Sequence, residues 1–377
     1  MTVHFDICVI GGGLAGISAA AGLAALRRVV LVEREAHWAY HSTGRSAALF
    51  AESYGNTAVR ALTRASRNFY LVSDGSRPFT QPRGALFVAT AAQQESLNTL
   101  YGTLSAASPR IELLGPAAAL ALCPALRSDT LSGALLDPDA RDIDVAAVVD
   151  YYVRQFRSHG GQQCRSTEVV GLEHCRGEWH IQAGNSQIRA TVVVNAAGAW
   201  ADEVARAAGA AASGLEPRRR TAVRVSAAPW TVAQWPCVID VSEQWYFRAD
   251  AGALLLSPAD ETLSAPCDAQ PDDFDVALAI ERVEAATRLV VERPLSTWAG
   301  LRTFAADRTP VVGFDPDVAG FYWLAGQGGY GIQTAPALAQ LAVAQVTGNQ
   351  VPSLLAEAGV DAAALSPARL HAVLFSG

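Results

Sequence analysis

The chain has 377 residues, half of them hydrophobic, and its length suits two domains. No run approaches the roughly 18–20 unbroken apolar residues that span a bilayer, so we expect no transmembrane segment. The net charge of −7 argues against a nucleic-acid partner, and a first strand that begins near residue 5 leaves no room for a signal peptide, which favours a cytoplasmic protein.

The segment 5–33 has the pattern of a nucleotide-binding unit. An apolar run at 5–10 has the length of a buried parallel strand, an alanine-rich helix follows, and 29–32 is a second apolar strand. The turn between strand and helix reads G-x-G-x-x-G over 11–16, and Glu33 ends the second strand. The combination predicts a dinucleotide site. The alternative is a glycine-rich turn in an ordinary α/β unit.

Each residue of this motif has a physical role. Gly11 permits the tight turn, Gly13 lets the backbone approach a pyrophosphate, and Gly16 lets helix and strand pack closely. The helix directs its free N–H groups and the positive end of its dipole at the phosphates. Glu33 is placed to accept hydrogen bonds from the ribose hydroxyls.

A stretch of small and polar residues follows at 40–48. It is too polar for a core segment and lacks the apolar period of a helix. A loop laid along a flat ligand has this composition, because its hydroxyls and backbone N–H groups face the ligand. A solvated connector is the alternative.

The next part of the chain alternates helices and strands. Asp142 or Asp144 is the expected N-cap of the last helix, and Gly160-Gly161 ends it. The patterns predict helices at 56–71, 91–104, 116–122 and 144–159, a strand at 85–89 and a turn at 137–140.

Three short strands follow at 168–172, 179–182 and 190–194, and the last runs into the small residues of 195–200. This arrangement predicts a second backbone approach to the same cofactor, with an ordinary strand-to-helix turn as the alternative. The cysteines are scattered without a C-x-x-C pair, so we read them as reduced thiols and predict no metal site.

Longer alternating strands begin near residue 215. The first places Arg220 and Arg224 on one face and valines on the other, and a later strand places Tyr246 and Arg248 together. Two such strands suggest a sheet that roofs an anion pocket, because guanidinium groups match carboxylate geometry. A solvated charged face is the default alternative.

The C-terminal third repeats the logic of the N-terminus. A helix is predicted at 273–291 over the apolar side of that sheet, and strands at 298–304 and 321–325 follow. The last strand runs into a glycine cluster at 326–331 and a long helix to about residue 346. A helix N-terminus aimed at a ligand atom that becomes negative is a catalytic device.

Together these motifs resemble the FAD-dependent D-amino acid oxidase/dehydrogenase superfamily, also called the DAO or glycine oxidase group. Within it, the likeness is to the bacterial D-arginine dehydrogenase type and covers essentially the whole chain. The resemblance rests on Glu33 and on the segments 11–16, 41–48, 195–200, 298–302 and 327–333.

The resemblance implies a mixed α/β fold with FAD as the cofactor. A Rossmann-like FAD-binding domain (1–80, 140–214 and 300–377) would be interleaved with a substrate-binding domain (81–139 and 215–299) built on a large antiparallel or mixed sheet. Non-covalent FAD is expected, because the C-terminal glycine cluster contains no cysteine or histidine and His41 is the only candidate near the first loop.

The family's cofactor positions are carried over residue by residue. They are Gly11, Gly13, Leu14, Ala15, Gly16, Glu33, Arg34, Thr43, Gly44, Arg45, Ser46, Ala47, Ala48, Val169, Ala196, Ala197, Gly198, Trp200, Arg302, Gly328, Gly329, Tyr330, Gly331, Ile332 and Gln333.

The resemblance also implies the substrate-binding residues. Arg220 and Arg302 would clamp the substrate carboxylate, with a hydroxyl from Tyr246. Tyr54 matches a tyrosine of the active-site lid. Two residues of the cofactor set, Gly329 and Gln333, match positions that contact substrate or flavin.

Two departures bear on the substrate. Ala85 stands where the D-arginine enzymes carry the glutamate that pairs the substrate guanidinium, and Leu49 replaces a histidine over the pocket. Both changes favour a neutral or apolar side chain. Arg224, on the face that carries Arg220, is the feature that would instead favour an acidic side chain.

The expected reaction is oxidation of the Cα–N bond of a D-amino acid by hydride transfer to FAD, giving an imino acid and then a 2-oxo acid and ammonia. The chain contains no lysine, which closes the lysine-assisted oxygen route of the sarcosine oxidase type and favours a dehydrogenase with a quinone as acceptor. Secondary amino acids such as D-proline, cis-hydroxyproline or sarcosine are the nearest alternative substrates. A 2-hydroxy acid oxidase is a third, and would need a base such as His41. The oligomeric state stays open, and a monomer is one option.

Overall fold

The computed structural model describes residues 3–71, 78–106, 108 and 110–370. The other residues of the two predicted domains lie outside these ranges. The strands are β1 Val3–Ile10, β2 Val29–Val32, β3 Leu49–Phe50, β4 Thr80–Pro82, β5 Ala85–Ala89, β6 Glu112–Leu114, β7 Gly133–Asp137, β8 Arg141–Ile143, β9 Gln162–Cys164, β10 Val169–Cys175, β11 Glu178–Ala183, β12 Ser186–Asn195, β13 Glu216–Ser226, β14 Cys237–Asp240, β15 Tyr246–Asp250, β16 Ala253–Ser257, β17 Thr262–Leu263, β18 Pro294–Phe304, β19 Val311–Phe314 and β20 Phe321–Ala325. The α-helices are α1 Leu14–Ala24, α2 Thr57–Leu71, α3 Gln94–Ser105, α4 Pro116–Leu122, α5 Val145–Ser158, α6 Ala201–Ala207, α7 Asp273–Ala286, α8 Gly331–Thr347, α9 Ser353–Glu357 and α10 Ala362–Leu365.

The first sheet is built around β1. Its order is β10-β11-β12-β1-β2-β9, and β12 is shared along its length: residues 186–190 pair antiparallel with β11, whereas 193–195 pair parallel with β20. The parallel strands β12, β1 and β2 bring their carboxyl ends to one edge, as the predicted strand–helix–strand unit requires. The expected nucleotide-binding arrangement is therefore confirmed at the level of fold.

Helices α1 and α8 pack side by side on one face of this sheet. The contact is so close that a Cβ added at Gly22 of α1 would lie 2.7 Å from Cγ2 of Val343 on α8. Both helices belong to a core that buries residues such as Ile17 and Leu338. A second core on the other face contains Trp179 and Trp323. The sheet is covered on both faces, which explains its near-continuous apolar strands.

The second sheet is larger and mixed. Its order is β17-β13-β16-β15-β14-β5-β7-β6, with β18 alongside β13, and its pairs are antiparallel apart from β14 with β5. One face packs on α7 through Val223, Phe247 and Val283. The opposite face of β13 carries Arg220 and Arg224 and is directed toward the first sheet. The predicted mixed α/β fold with a large mixed sheet is confirmed. The small sheet β3-β8-β4 joins the two regions.

Two features differ from the sequence-based expectation. Helix α7 ends at Ala286 instead of residue 291, because Thr287 is extended and bonds its hydroxyl to the carbonyl of Val283 at 2.6 Å. Strands β7 and β8, which flank the predicted turn at 137–140, were not predicted from the sequence, because they are only five and three residues long. The domain boundaries stay a prediction.

None of the helices in the described part of the chain combines the length and the hydropathy that a membrane span requires.

Candidate active site

A cavity lies where the carboxyl ends of β1, β2 and β12 meet the second sheet. Segments distant in sequence line it together, including the ends of three parallel strands, three strands of the second sheet and the glycine cluster before α8. The predicted site residues found in its lining are Gly11, Gly13, Leu14, Ala15, Glu33, Arg34, Thr43, Arg45, Ser46, Ala47, Val169, Ala196, Ala197, Gly198, Trp200, Arg220, Tyr246, Arg302, Gly328, Gly329, Gly331 and Ile332.

The first glycine turn has no room for side chains. Gly11 has a φ of +109°, and a Cβ there would lie 2.4 Å from the carbonyl oxygen of Ala196. At Gly16 a Cβ would lie 1.9 Å from the carbonyl oxygen of Gly11. These contacts hold α1 against the ends of β1 and β12, so the N-terminus of the helix opens into the cavity.

That helix N-terminus suits a pyrophosphate. Its N-cap, Gly13, supplies no side-chain hydrogen bond, and the first turn carries no acidic residue. The N–H of Leu14 donates to the hydroxyl of Thr43 at 3.1 Å. Uncapped N–H groups and a hydroxyl are donors that match phosphate oxygens, so these residues fit the phosphates of FAD.

The carboxylate of Glu33 is held by two backbone donors. Its Oε2 accepts from the N–H of Gly12 at 2.5 Å, and its Oε1 accepts from the N–H of Glu35 at 2.8 Å. An ionised carboxylate keeps further acceptor sites, so Glu33 is fixed in place and still fits two ribose hydroxyls. The role of Gly12 was missed from the sequence, where its only signal was its position inside the motif.

A cationic and aromatic cluster surrounds Glu35. The Arg34 guanidinium carbon lies 3.8 Å from the ring centre of Trp200, and His41 Nε2 lies 2.9 Å from Glu35 Oε1. The imidazole of His41 also packs on Trp200, with 4.7 Å between ring centres. His41 is thus committed to the cluster that follows β2, which does not favour the 2-hydroxy acid alternative that needed it as a base.

The predicted loop at 40–48 is fastened to the roofing sheet. Ser42, which the sequence did not single out, donates its hydroxyl to the carbonyl of Leu301 at 2.6 Å. Arg45 donates to the carbonyl of Ala299 at 2.9 Å. Arg248 Nη1 donates to the carbonyls of Ala47 and Ala48 at 2.9 and 3.0 Å. Hydrogen bonds from Arg45 of the loop and Arg248 of β15 therefore fix the loop along the cavity.

Two arginines meet at the roof of the cavity. On the paired strands, Arg218 lies opposite Arg302 and Arg220 opposite Gly300, so Arg220 is the diagonal neighbour of Arg302 on one face. Arg220 donates from Nε to the carbonyl of Asp260 at 2.8 Å. Burial and the charge of Arg302 lower the pKa of Arg220, yet a guanidinium stays charged.

Arg302 has a different environment. Among the described residues, none accepts a hydrogen bond from its guanidinium or forms an ion pair with it. A Cβ added at Gly329 would lie 2.9 Å from Nη1 of Arg302, so only glycine leaves room for this group. A half-buried cation without a partner requires an anion to offset its desolvation. This position therefore fits a carboxylate.

Three tyrosines lie near the two arginines. Tyr246 lines the cavity on β15, whereas Tyr54 stands outside the lining and packs on Tyr330 with 4.8 Å between ring centres. Burial raises the pKa of Tyr54, and burial and the neighbouring Tyr54 raise the pKa of Tyr330 to about 12. Tyr54 and Tyr330 are therefore protonated at neutral pH.

Some predicted site residues are not in the lining. Gly16 and Gly44 act through backbone packing, since a Cβ at Gly44 would lie 2.4 Å from the carbonyl oxygen of Ala39. Ala48 is buried in the core that contains α1, and its carbonyl accepts from Arg248 and from the N–H of Ile143. The full set outside the lining is Gly16, Gly44, Ala48, Tyr54, Tyr330 and Gln333.

Gln333 is buried between helices. Its Oε1 accepts from the N–H of Ala51 at 3.1 Å, and its Nε2 donates to the hydroxyl of Thr63 at 3.0 Å. Replacing Gln333 by Leu should lower the free energy of unfolding by about 1–3 kcal/mol, because the N–H of Ala51 loses its acceptor. Thermal melting checks this, with Gln340→Leu on the exposed side of the same helix as the control. A raised KM with unchanged melting would instead support a direct substrate contact.

The two residues that bear on substrate choice lie in one apolar cluster. Ala85 is buried there with Phe87 and Val241, and Leu49 and Tyr54 pack against the cluster. Arg224, the feature that favoured an acidic side chain, does not line the cavity and pairs with Asp250 at 2.9 Å.

Comparisons with known proteins agree with this geometry. The profile of the DAO family, described as FAD dependent oxidoreductase, matches residues 6–345. Mitochondrial dimethylglycine dehydrogenase of Rattus norvegicus is 26% identical over 354 residues, covering 87% of this chain and 41% of that protein, so the chain spans less than half of this relative.

Solved structures share the fold. Glycine oxidase from Geobacillus kaustophilus superposes with a TM-score of 0.84 at 19% identity, covering 97% of this chain and 98% of that one. L-proline dehydrogenase from P. horikoshii has a TM-score of 0.84 at 21% identity and covers 99% of both chains. At these identities the likeness concerns the fold alone.

Proposed function

The chain belongs to the DAO family of FAD-dependent oxidoreductases, and from this premise we propose that it oxidises the Cα–N bond of a D-amino acid with a neutral or apolar side chain. The observation that carries the proposal is the guanidinium of Arg302, which lines the cavity without a partner among the described residues. An α-carboxylate is the group that such a site accepts, and it is the feature that all amino acids share.

The cofactor would be held by the residues that fit it. The N-terminus of α1 and Thr43 meet the phosphates, Glu33 meets the ribose, and Gly331 brings the uncapped N-terminus of α8 to the same cavity. FAD, when bound, supplies the acceptor for the hydride that leaves Cα. A helix N-terminus stabilises negative charge next to it, so α8 would favour the reduced state of a group placed there. We propose that this binding is non-covalent.

The protein's own residues orient the substrate. Arg302 binds the carboxylate, and Arg220 and Tyr246 line the cavity beside it. Fixing the carboxylate at these donors restricts the position of Cα, and orientation of this kind supplies a large part of many rate enhancements. The lining carboxylates of the described residues belong to Glu33, Glu168 and Glu203, which group with the nucleotide residues. The substrate amine would therefore lose its proton to solvent.

The proposed side-chain preference rests on the residue types at 49 and 85, which belong to an apolar cluster outside the cavity lining. Leu49 and Ala85 remove the polar partners that a cationic substrate would need, and burying an unpaired charge is costly. The imino acid product would leave the site and hydrolyse to a 2-oxo acid and ammonia. The electron acceptor we propose is a quinone.

Amino acids with a substituted nitrogen are a second candidate class. One observation favours them: the similarity to a protein named dimethylglycine dehydrogenase extends over 87% of this chain. Arg302 would hold the carboxylate of such a substrate in the same way, because the clamp does not involve the nitrogen.

Anaerobic bleaching of the flavin absorbance tests the proposal. The panel contains D- and L-amino acids, proline analogues, sarcosine, dimethylglycine and 2-hydroxy acids. We expect rapid bleaching by D-amino acids with apolar side chains, slow reoxidation in air and fast reoxidation by a soluble quinone. Bleaching by the N-substituted compounds alone would transfer the assignment to the second class, and bleaching by hydroxy acids alone would overturn both.

A further inference from the structure

Glu261 is a carboxylate that lies outside the cavity lining and pairs with Arg220, which lines it. Strand β17 pairs with the edge of β13 through Thr262 and Arg219, which brings Glu261 next to Arg220. Its Oε1 accepts from Arg220 Nη2 at 3.2 Å and from Arg308 Nη1 at 3.3 Å. Its Oε2 accepts from Arg308 Nη2. Two guanidinium groups thus share one carboxylate.

The position of this carboxylate is fixed from its own loop. The side chain of Asp260 accepts from the N–H of Thr221 at 2.7 Å and from its hydroxyl at 3.0 Å. The carbonyl of Asp260 receives Nε of Arg220 at 2.8 Å. The loop that carries Glu261 is therefore hydrogen-bonded to β13 at Arg220 and Thr221.

The other partner, Arg308, connects Glu261 to the glycine cluster. Its guanidinium carbon lies 4.4 Å from the ring centre of Phe304. The ring of Phe304 is so close beneath Gly328 that a Cβ there would lie 2.2 Å from it. Movement of Glu261 away from Arg220 would therefore break hydrogen bonds to both Arg220 and Arg308.

This arrangement affects the net charge around the part of the cavity where the substrate carboxylate is proposed to bind. Two guanidinium groups, Arg220 and Arg302, line the cavity, and Glu261 pairs with Arg220 while it also pairs with Arg308. Arg302 forms no ion pair among the described residues, and Glu261 is near enough to stabilise its charge. A second carboxylate on a substrate would meet the negative charge of Glu261, which weakens its attraction to Arg220.

We propose that Glu261 determines specificity by restricting the site to substrates with a single carboxylate. Its charge weakens the attraction of Arg220 for a carboxylate on the substrate side chain. The inference rests on the proposed function and deepens it, since it accounts by charge for the proposed preference for a neutral side chain at a cavity lined by two arginines.

Binding of non-substrate acids to the FAD-loaded protein tests this role. Propionate and succinate, with one and two carboxylates, are titrated while the flavin absorbance spectrum is followed. In Glu261→Gln we expect the ratio of the succinate Kd to the propionate Kd to fall by about tenfold or more, because two cations then face the ligand. The matched control is Glu216→Gln, which removes a carboxylate paired with Arg218 on the same strand and should leave the ratio unchanged.

A second variant keeps the test sharp if Glu261→Gln does not fold. In Arg308→Gln, Glu261 retains Arg220 as its partner and the site loses one nearby cation, so succinate should bind no better than in the wild type. Two results would overturn the role of Glu261. One is tighter succinate binding in Arg308→Gln than in the wild type. The other is the same ratio of succinate Kd to propionate Kd in Glu261→Gln and in Glu216→Gln. The titrations need no turnover, so failure of every amino acid to bleach the flavin would count against the proposed function and leave this test intact.

Discussion

An Arg302→Met variant should raise the KM for the amino acid substrate by about a hundredfold or more. Methionine keeps an unbranched apolar stem and removes the charged guanidinium, so the substrate carboxylate enters a half-buried site without its partner. Removing one member of a buried, hydrogen-bonded charge pair costs about 3–5 kcal/mol, which corresponds to two to four factors of ten in affinity. Steady-state kinetics and propionate titration, both on protein with its flavin content verified, measure the change.

Arg224→Met is the matched control for this variant. Arg224 lies on the neighbouring strand β13, but it pairs with Asp250 at 2.9 Å and does not line the cavity. Exposed ion pairs of this kind contribute about 1 kcal/mol or less, so KM should stay close to the wild-type value. Equal KM values for the two variants would remove Arg302 from the carboxylate site.

Gly16→Ala should unfold the nucleotide end of the protein or abolish flavin binding. The new Cβ would stand 1.9 Å from the carbonyl oxygen of Gly11. That residue cannot yield easily, because it holds a φ of +109° and its N–H donates to the carbonyl of Val32 at 2.9 Å. We expect a loss of about 3 kcal/mol or more in the free energy of unfolding. Thermal melting and the amount of flavin retained after gel filtration report the effect.

Gly102→Ala provides the opposite outcome with the same substitution. Gly102 also lies inside a helix, α3, but a Cβ there meets no heavy atom within 4 Å. Alanine is favoured over glycine in a helix interior by about 1 kcal/mol, so this variant should melt at the same or a higher temperature and keep its flavin. If both variants melted alike, the close packing of Gly16 could not be what excludes a side chain.

Elements with local signals were predictable. The strand at 5–10, the second strand at 29–32 and the helix between them occur as β1, β2 and α1, because apolar runs, a glycine turn and an alanine-rich segment each specify their structure over a few residues. The N-cap at Asp144 is confirmed as well, since its side chain accepts from the N–H of Ala147. Consistent local signals of this kind explain why the nucleotide end could be read from the sequence.

Residues whose role depends on distant partners were not predictable in the same way. Arg224 shares a strand face with Arg220, but β13 runs past the cavity, and only the packing of β15 brings Asp250 to it. Gln333 stands two residues after Gly331, and the helical period turns it toward Ala51 and Thr63. Glu261 belongs to no motif, because its meaning comes from a sheet edge formed between segments far apart in the chain.

The packing of α1 against α8 also determines when the cofactor site can exist. The ribosome synthesises the glycine turn at Gly11 long before it reaches Gly331. Gly331 begins α8, the second helix that is directed into the cavity. At roughly 5–20 residues per second, synthesis of the intervening segment takes on the order of tens of seconds. During that interval the nascent chain has half of its cofactor site and an uncovered face on α1. The complete cofactor site therefore forms only after the segment that carries Gly331 has been synthesised.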